Sequence, residues 1–201
     1  MPNIAGLREM WAIPMVRLSI LAQTLSFGML FGMLSSVQLI SDQTFGRGDT
    51  FHLWFGLVAL LAASASFLNA MTVRRFGMRA LVMVMFAAST TLSAAMALFW
   101  GLLPAGAWQF GAFVAWQVVI FFQAGMTIGN LNALALEPLG HVAGTASSLM
   151  GALATVGGAV GGAIIGQLFD GTAVPVALGI GAAFALAGLV MLRMPREGVD
   201  A

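Results

Sequence analysis

The chain has 201 residues, of which 60% are hydrophobic and 7% are charged, and its formal net charge is +1. A water-soluble domain of this size could not cover its surface with so few charged side chains, so the composition excludes that class and predicts an integral membrane protein. The sequence has no cysteine and only two histidines. It therefore predicts no disulfide, no metal site, no cofactor and no classical enzyme chemistry.

Six apolar segments long enough to cross a bilayer follow one another along the chain. Each has about 20 residues or more, which at about 1.5 Å per residue matches a hydrocarbon core about 30 Å thick. They lie at residues 17–40, 52–73, 80–103, 109–136, 146–168 and 172–193. We expect residues 1–16 to form a cytoplasmic segment, because they lack the features of a signal peptide, and residues 194–201 to form a cytoplasmic tail.

The arginines predict the orientation of these segments. If the six segments alternate in direction, only Arg47 falls on one side of the membrane. The seven arginines on the other side are Arg8, Arg17, Arg74, Arg75, Arg79, Arg193 and Arg196. Because basic residues are retained in the cytoplasm, both termini are predicted to be cytoplasmic. The arginines form no single patch, so no nucleic-acid partner is predicted.

Polar and aromatic side chains in the first and fourth segments form a candidate substrate-contact set. Its members are Gln23, Phe27, Trp116, Gln123, Thr127 and Asn130. Those in the fourth segment are separated by seven, four and three residues, which is one helical stripe. An amide facing lipid would lack partners, so the stripe should face protein or a water-filled cavity. It either bonds helices together or lines a substrate cavity, and the sequence leaves both open.

The fifth segment is striped with glycine. Gly158, Gly162 and Gly166 repeat at four-residue spacing, and Gly157 and Gly161 form a second pair beside them. Residues four apart share one face of a helix, so this face has almost no side chains. Such a face lets another membrane helix approach closely. We predict a helix-packing role, as either a fixed contact or a moving interface.

Two stretches resemble a known transporter family. LNALALEPLGHVAGTASSLMGALATVGGAVGGAIIGQLFDGT resembles the tenth and eleventh helices of drug:proton antiporters of the bicyclomycin/chloramphenicol-resistance type, in the major facilitator superfamily. The turn VRRFGMR resembles the family's GxLaDRxGRR loop. Aligned on Gly77, that motif is matched at Arg75, Gly77 and Arg79, whereas Arg74 stands at its acidic position. The resemblance covers nearly the whole chain, but only the C-terminal six-helix half of a twelve-helix family.

The resemblance implies an all-α membrane fold built as a 3+3 inverted repeat. The first and fourth helices would line a mid-membrane cavity, the second and fifth would flank the interface with a second six-helix half, and the third and sixth would lie outside. Such a half would expose, on the wall facing its partner, the amides of the fourth helix and the glycines of the fifth.

The resemblance also implies a bacterial inner membrane protein that exports small apolar or drug-like molecules in exchange for protons. The second half would be another copy of the chain or a separate chain. The acids that carry protons in such antiporters usually belong to the half that is missing here, and no Asp or Glu lies within the middle of a predicted segment. A non-transporting membrane scaffold or accessory subunit stays open as the alternative.

Overall fold

Helices make up almost all of the structure. This computed structural model describes residues 11–195, and no strand occurs among them. The α-helices of this range are α1 (Pro14–Leu39), α2 (Phe51–Phe76), α3 (Met78–Leu102), α4 (Trp108–Leu136), α5 (Ala143–Gly166) and α6 (Val174–Leu192). A π-helical turn, Ile40–Thr44, ends α1, and a 3-10 turn, Glu137–Val142, joins α4 to α5.

Each helix begins and ends within three residues of the segment predicted for it. By length and hydropathy, the described residues contain five continuous helical stretches able to cross a membrane, so the chain is an all-α integral membrane protein. One of these stretches, Trp108–Gly166, has 59 residues and contains both α4 and α5. These five stretches do not by themselves establish six crossings, which stay a prediction.

Successive helices run in opposite directions through the bundle. At one end, the first residues of α1 and α3 and the last residues of α2, α4 and α6 border a single cleft. At the other end, the Phe45 ring packs edge-on against Trp100 of α3 and Phe110 of α4. Thr44 Oγ1, just after α1, donates a hydrogen bond to the Gly171 carbonyl, just before α6, at 2.9 Å.

This alternation makes the two ends of the bundle different in charge. The arginine-rich end, where the cleft lies, carries Arg17, Arg74, Arg75, Arg79 and Arg193. The opposite end carries Arg47, whose guanidinium lies 4.3 Å from the centre of the Phe110 ring. Arg8, Arg196, and most of the predicted cytoplasmic segment 1–16 and tail 194–201 lie outside the described residues.

The pattern of helix contacts is unchanged when α1, α2 and α3 are exchanged for α4, α5 and α6, respectively. α1 packs along α5 as α4 packs along α2, and α1 packs on α6 as α4 packs on α3. In each of the remaining close pairs, α1 with α4 and α3 with α6, the two helices replace each other, so the pair is unchanged. Because α1 and α4 run in opposite directions, an inverted repeat would produce this pattern.

It follows from these contacts that α2, α4, α1 and α5 form one layer, which α3 and α6 cover on one side. The central helices are well buried, with twelve buried residues each on α1 and α4. By contrast, α2 buries only Val58 and Ala65, and side chains such as Leu60 and Phe67 are more than 70% exposed. The apolar side chains that α2 turns outward suit contact with lipid or with another membrane helix.

Candidate functional site

The polar stripe predicted on α4 lies inside the bundle. Gln123 and Thr127 are fully buried, and Trp116 and Asn130 are at most 4% exposed. Trp116 Nε1 donates a hydrogen bond to Ser93 Oγ of α3 at 2.9 Å. Thr127 Oγ1 lies 2.9 Å from the Gln123 carbonyl oxygen and 3.0 Å from its Oε1, and donates to them. The stripe therefore faces protein, and at Trp116 it bonds two helices together.

Asn130 pairs with Asn69 of α2. Asn130 Nδ2 donates to Asn69 Oδ1 and to the Met126 carbonyl, both at 2.8 Å, and Asn69 Nδ2 lies 3.5 Å from Asn130 Oδ1. The two helices also approach closely at Gly125, where an added Cβ would lie 2.8 Å from the Ala65 Cβ. Because α2 buries so few residues, the amide pair is a major tie between α2 and the bundle.

Removing both amides should show that they stabilise the protein as a pair. For Asn69→Leu, Asn130→Leu and the double variant, we expect a coupling free energy of about 0.6 to 1.7 kcal/mol, the range for hydrogen bonds between membrane helices. The measurement is reversible unfolding in detergent, arranged as a double-mutant cycle.

Ser64→Ala supplies the control for this cycle, because among the described residues Ser64 Oγ bonds only the Leu61 carbonyl of its own helix. It should show no coupling to Asn130→Leu. A coupling of zero between the two asparagines would contradict the assigned bond.

α1 has its own row of buried polar side chains. Ser19, Gln23 and Ser26 follow one another at spacings of four and three residues and are at most 4% exposed. Ser19 Oγ, Gln23 Oε1 and Ser26 Oγ have no hydrogen-bond partner within the described structure. Gln23 was predicted from the sequence and the serines were not, because a serine in a membrane helix often bonds only its own helix. Their spacing from Gln23 is the signal that could have found them.

The rows on α1 and α4 have the same spacing on two helices that pack antiparallel. Gln123, Thr127 and Asn130 are also separated by four and three residues, and α1 packs directly on α4. Gln123 Nε2, a donor, has no partner in the described part of the chain, and neither does the acceptor Gln23 Oε1. A buried unpaired polar group is unfavourable by about 1 to 3 kcal/mol. Gln23 Oε1 and Gln123 Nε2 are therefore groups at which water or a polar ligand group would be stabilised.

The glycine stripe of α5 packs on α1. Gly158 and Gly162 are buried. A Cβ added at Gly162 would lie 2.5 Å from the Phe31 Cβ and 2.9 Å from the Gly32 nitrogen, and one added at Gly158 would overlap the Phe27 Cβ. The half-buried Phe27 of the candidate set therefore contacts the glycine stripe.

The other three glycines of the stripe lie along the same contact. A Cβ at Gly157 would meet the Thr24 side chain, and one at Gly166 would meet Ser35, while Gly161 has only backbone near it, at 3.7 Å. Residue numbers rise together on the two helices, so α1 and α5 run parallel.

The expectation that the glycine face and the α4 amides form an exposed wall is wrong. The amides are buried inside the bundle, as described above. The glycine face is covered by α1, which has small residues of its own at Gly28 and Gly32. Substrate contact by the candidate residues stays a prediction, and for those on α4 it would need access into the bundle.

The basic turn that resembles the family loop depends on Gly77. Its backbone has φ 79° and ψ 154°, a conformation essentially limited to glycine. One residue therefore suffices to end α2 at Phe76 and begin α3 at Met78. Arg75, in the last turn of α2, has its guanidinium carbon 5.4 Å from the Phe76 ring centre.

Arg79 joins the start of α3 to the end of α6. Its Nη1 donates to the Pro195 carbonyl at 2.7 Å and its Nη2 to the Met191 carbonyl at 2.9 Å. The last carbonyls of a helix have no partner within it, and a cation is favourable there. Arg79 matches a motif in the sequence, but its partner could not be predicted because it lies about 110 residues further along the chain.

These features define an all-α membrane protein whose helices follow the contacts of an inverted repeat. The chain is similar to the bicyclomycin resistance protein homolog of Haemophilus influenzae, with 29% identity over 164 residues. The match covers 80% of this chain and 40% of that protein, so the chain spans less than half the length of its relative. It confirms the resemblance to proteins of the bicyclomycin-resistance type. No family model and no solved structure matches the chain.

Proposed function

We propose that this chain is a six-helix half of a proton-coupled exporter of small apolar or drug-like molecules, of the major facilitator type. The observation that carries the proposal is the similarity to the bicyclomycin resistance protein homolog over 80% of the chain. Because the match covers only 40% of that relative, we infer that a second six-helix half is needed, from another copy or another chain. The exchange symmetry of the helix contacts supports a half of this kind. Proton-driven export of bicyclomycin by reconstituted protein tests the proposal.

Six membrane crossings form part of this proposal. The 59-residue stretch Trp108–Gly166 would measure about 90 Å as one helix, about three times the hydrocarbon thickness. The 3-10 turn divides it at Leu139, whose φ of −115° and ψ of 24° are not helical. The number of arginines at the arginine-rich end supports placing that end, and both termini, in the cytoplasm.

Single cysteines introduced into this cysteine-free chain should test the six crossings. We expect an impermeant thiol reagent to label Arg47→Cys in intact cells. Met78→Cys, at the start of α3, and Gly140→Cys, in the turn between α4 and α5, should be labelled only after permeabilisation. Arg47 and Gly140 are exposed and Met78 is partly exposed, so access to water decides the labelling. Labelling of Gly140→Cys from outside would contradict six crossings, and labelling of Met78→Cys would contradict the orientation.

A non-transporting scaffold or accessory subunit is the second candidate, and one observation favours it. The acidic residues of the chain are Glu9, Asp42, Asp49, Glu137, Asp170, Glu197 and Asp200. None of them lies within the helices α1 to α6. A proton carrier would therefore have to come from the second half.

A further inference from the structure

The arginine-rich end of the bundle contains a cleft of about 720 Å³. The ends of five helices surround it: α1, α2, α3, α4 and α6. Arg74 and Arg79 are the charged residues of its described lining, which contains no acidic residue. Most of the other lining side chains are apolar, among them Met15, Val73, Met83, Leu134 and Met194.

The two arginines differ in what they already bind. Arg79 is held by the carbonyls at the end of α6. Arg74 is exposed and makes no hydrogen bond or ion pair with any described residue. The cleft thus has a free cation at its rim, with no neighbouring carboxylate among its described lining residues to neutralise it.

Below this rim the cleft is apolar. Met83 lies four residues after Arg79 on α3, about 6 Å deeper into the bundle. Methionine side chains are flexible and polarizable and adapt to irregular apolar partners. A free phosphate ion would match the rim and leave this apolar floor unfilled. A phosphate carried on an acyl chain would match both.

We propose that this cleft binds an anionic phospholipid, with its phosphate at Arg74 and an acyl chain along the methionines. The proposal rests on the orientation given under the proposed function, which places the cleft at the cytoplasmic leaflet, where basic residues bind anionic lipids. The lipid would bridge the end of α2 to α3 and α6. That contact would add to the packing of α2 on α4.

Lipid binding by the purified, delipidated full chain tests the proposal directly. Native mass spectrometry with added phosphatidylglycerol gives the affinity of the chain and its variants. Arg74→Gln should weaken binding about fivefold, which corresponds to about 1 kcal/mol for one basic residue. Arg74→Lys should keep most of the affinity. Arg75→Gln is the matched control, because Arg75 has the same charge in the same turn but lies on the Phe76 ring and does not line the cleft.

A second experiment distinguishes binding of a phospholipid from binding of a phosphate ion. Met83→Ser should weaken phosphatidylglycerol binding, and inorganic phosphate at equal concentration should not displace the lipid from the unaltered chain. Displacement by phosphate would overturn the assignment to a lipid. Equal effects of Arg74→Gln and Arg75→Gln, or no effect of either, would overturn the site itself. Because binding is measured without transport, failure of export would leave this result standing.

Discussion

Gly162→Leu should prevent α5 from packing on α1 and leave little folded protein. The added Cβ alone would lie 2.5 Å from the Phe31 Cβ and 2.9 Å from the Gly32 nitrogen. One of these neighbours is backbone, which cannot turn away as a side chain can. Overpacking is unfavourable by about 1 to 3 kcal/mol and sometimes more, and the backbone contact places this site at or above the top of that range. Close packing is also the main force between membrane helices, since lipid removes the hydrophobic drive.

Gly151→Leu is the control, on the same helix and with the same added side chain. A Cβ at Gly151 would have no atom within 4 Å, so this variant should fold like the parent chain. The measurement is the monodisperse fraction on gel filtration in detergent, followed by thermal unfolding of that fraction. Equal tolerance of the two substitutions would show that the glycine contact does not hold the bundle together.

The chain should show no proton-driven export of bicyclomycin as a monomer. In the proposed transporter the cavity lies between two six-helix halves, and the helices α1 to α6 contain no acid to carry a proton. Export should rise above the level of empty liposomes only when the chain pairs, and a half that supplies acids should give the larger rate. The measurements are the mass of the purified chain in detergent and bicyclomycin efflux from liposomes with an imposed pH gradient.

Three results of this experiment decide between the candidates. Export by a stable monomer would contradict the need for a second half. Export by a homodimer would make a second copy the partner. A stable assembly that exports nothing, even with an acid-bearing half, would favour the scaffold.

The positions of the helices could be predicted because residues that are unfavourable in lipid, or that permit a turn, separate the apolar segments. Arg74 and Arg75 end one helix, Gly77 permits the turn, and Arg79 opens the next. The glycine spacing on α5 likewise predicts a close contact with a second helix, since a face without side chains lets another helix approach closely. These inferences depend only on residues that are close together in the sequence.

The partners of those faces could not be predicted, because periodicity on one helix does not say which helix it meets. Nothing in the sequence indicates that the glycines of α5 meet Gly28 and Gly32 of α1 and not a second half. The same holds for Asn130, whose amide partner Asn69 lies 61 residues away. The spacing of an amide stripe is the same whether the stripe faces water or another helix. The burial of Gln123 and Thr127 is therefore known only from the structure.

The parallel contact of α1 with α5 has a consequence for biosynthesis. The two glycine faces are about 130 residues apart along the chain, and a ribosome that adds roughly 5 to 20 residues per second needs about 7 to 26 s to make the intervening segment. During that interval α1 is in or near the membrane without the helix that covers Gly28 and Gly32. The small-residue face of α1 is thus covered only once α5 has been made, and until then it must be shielded by lipid or by a component of the insertion machinery.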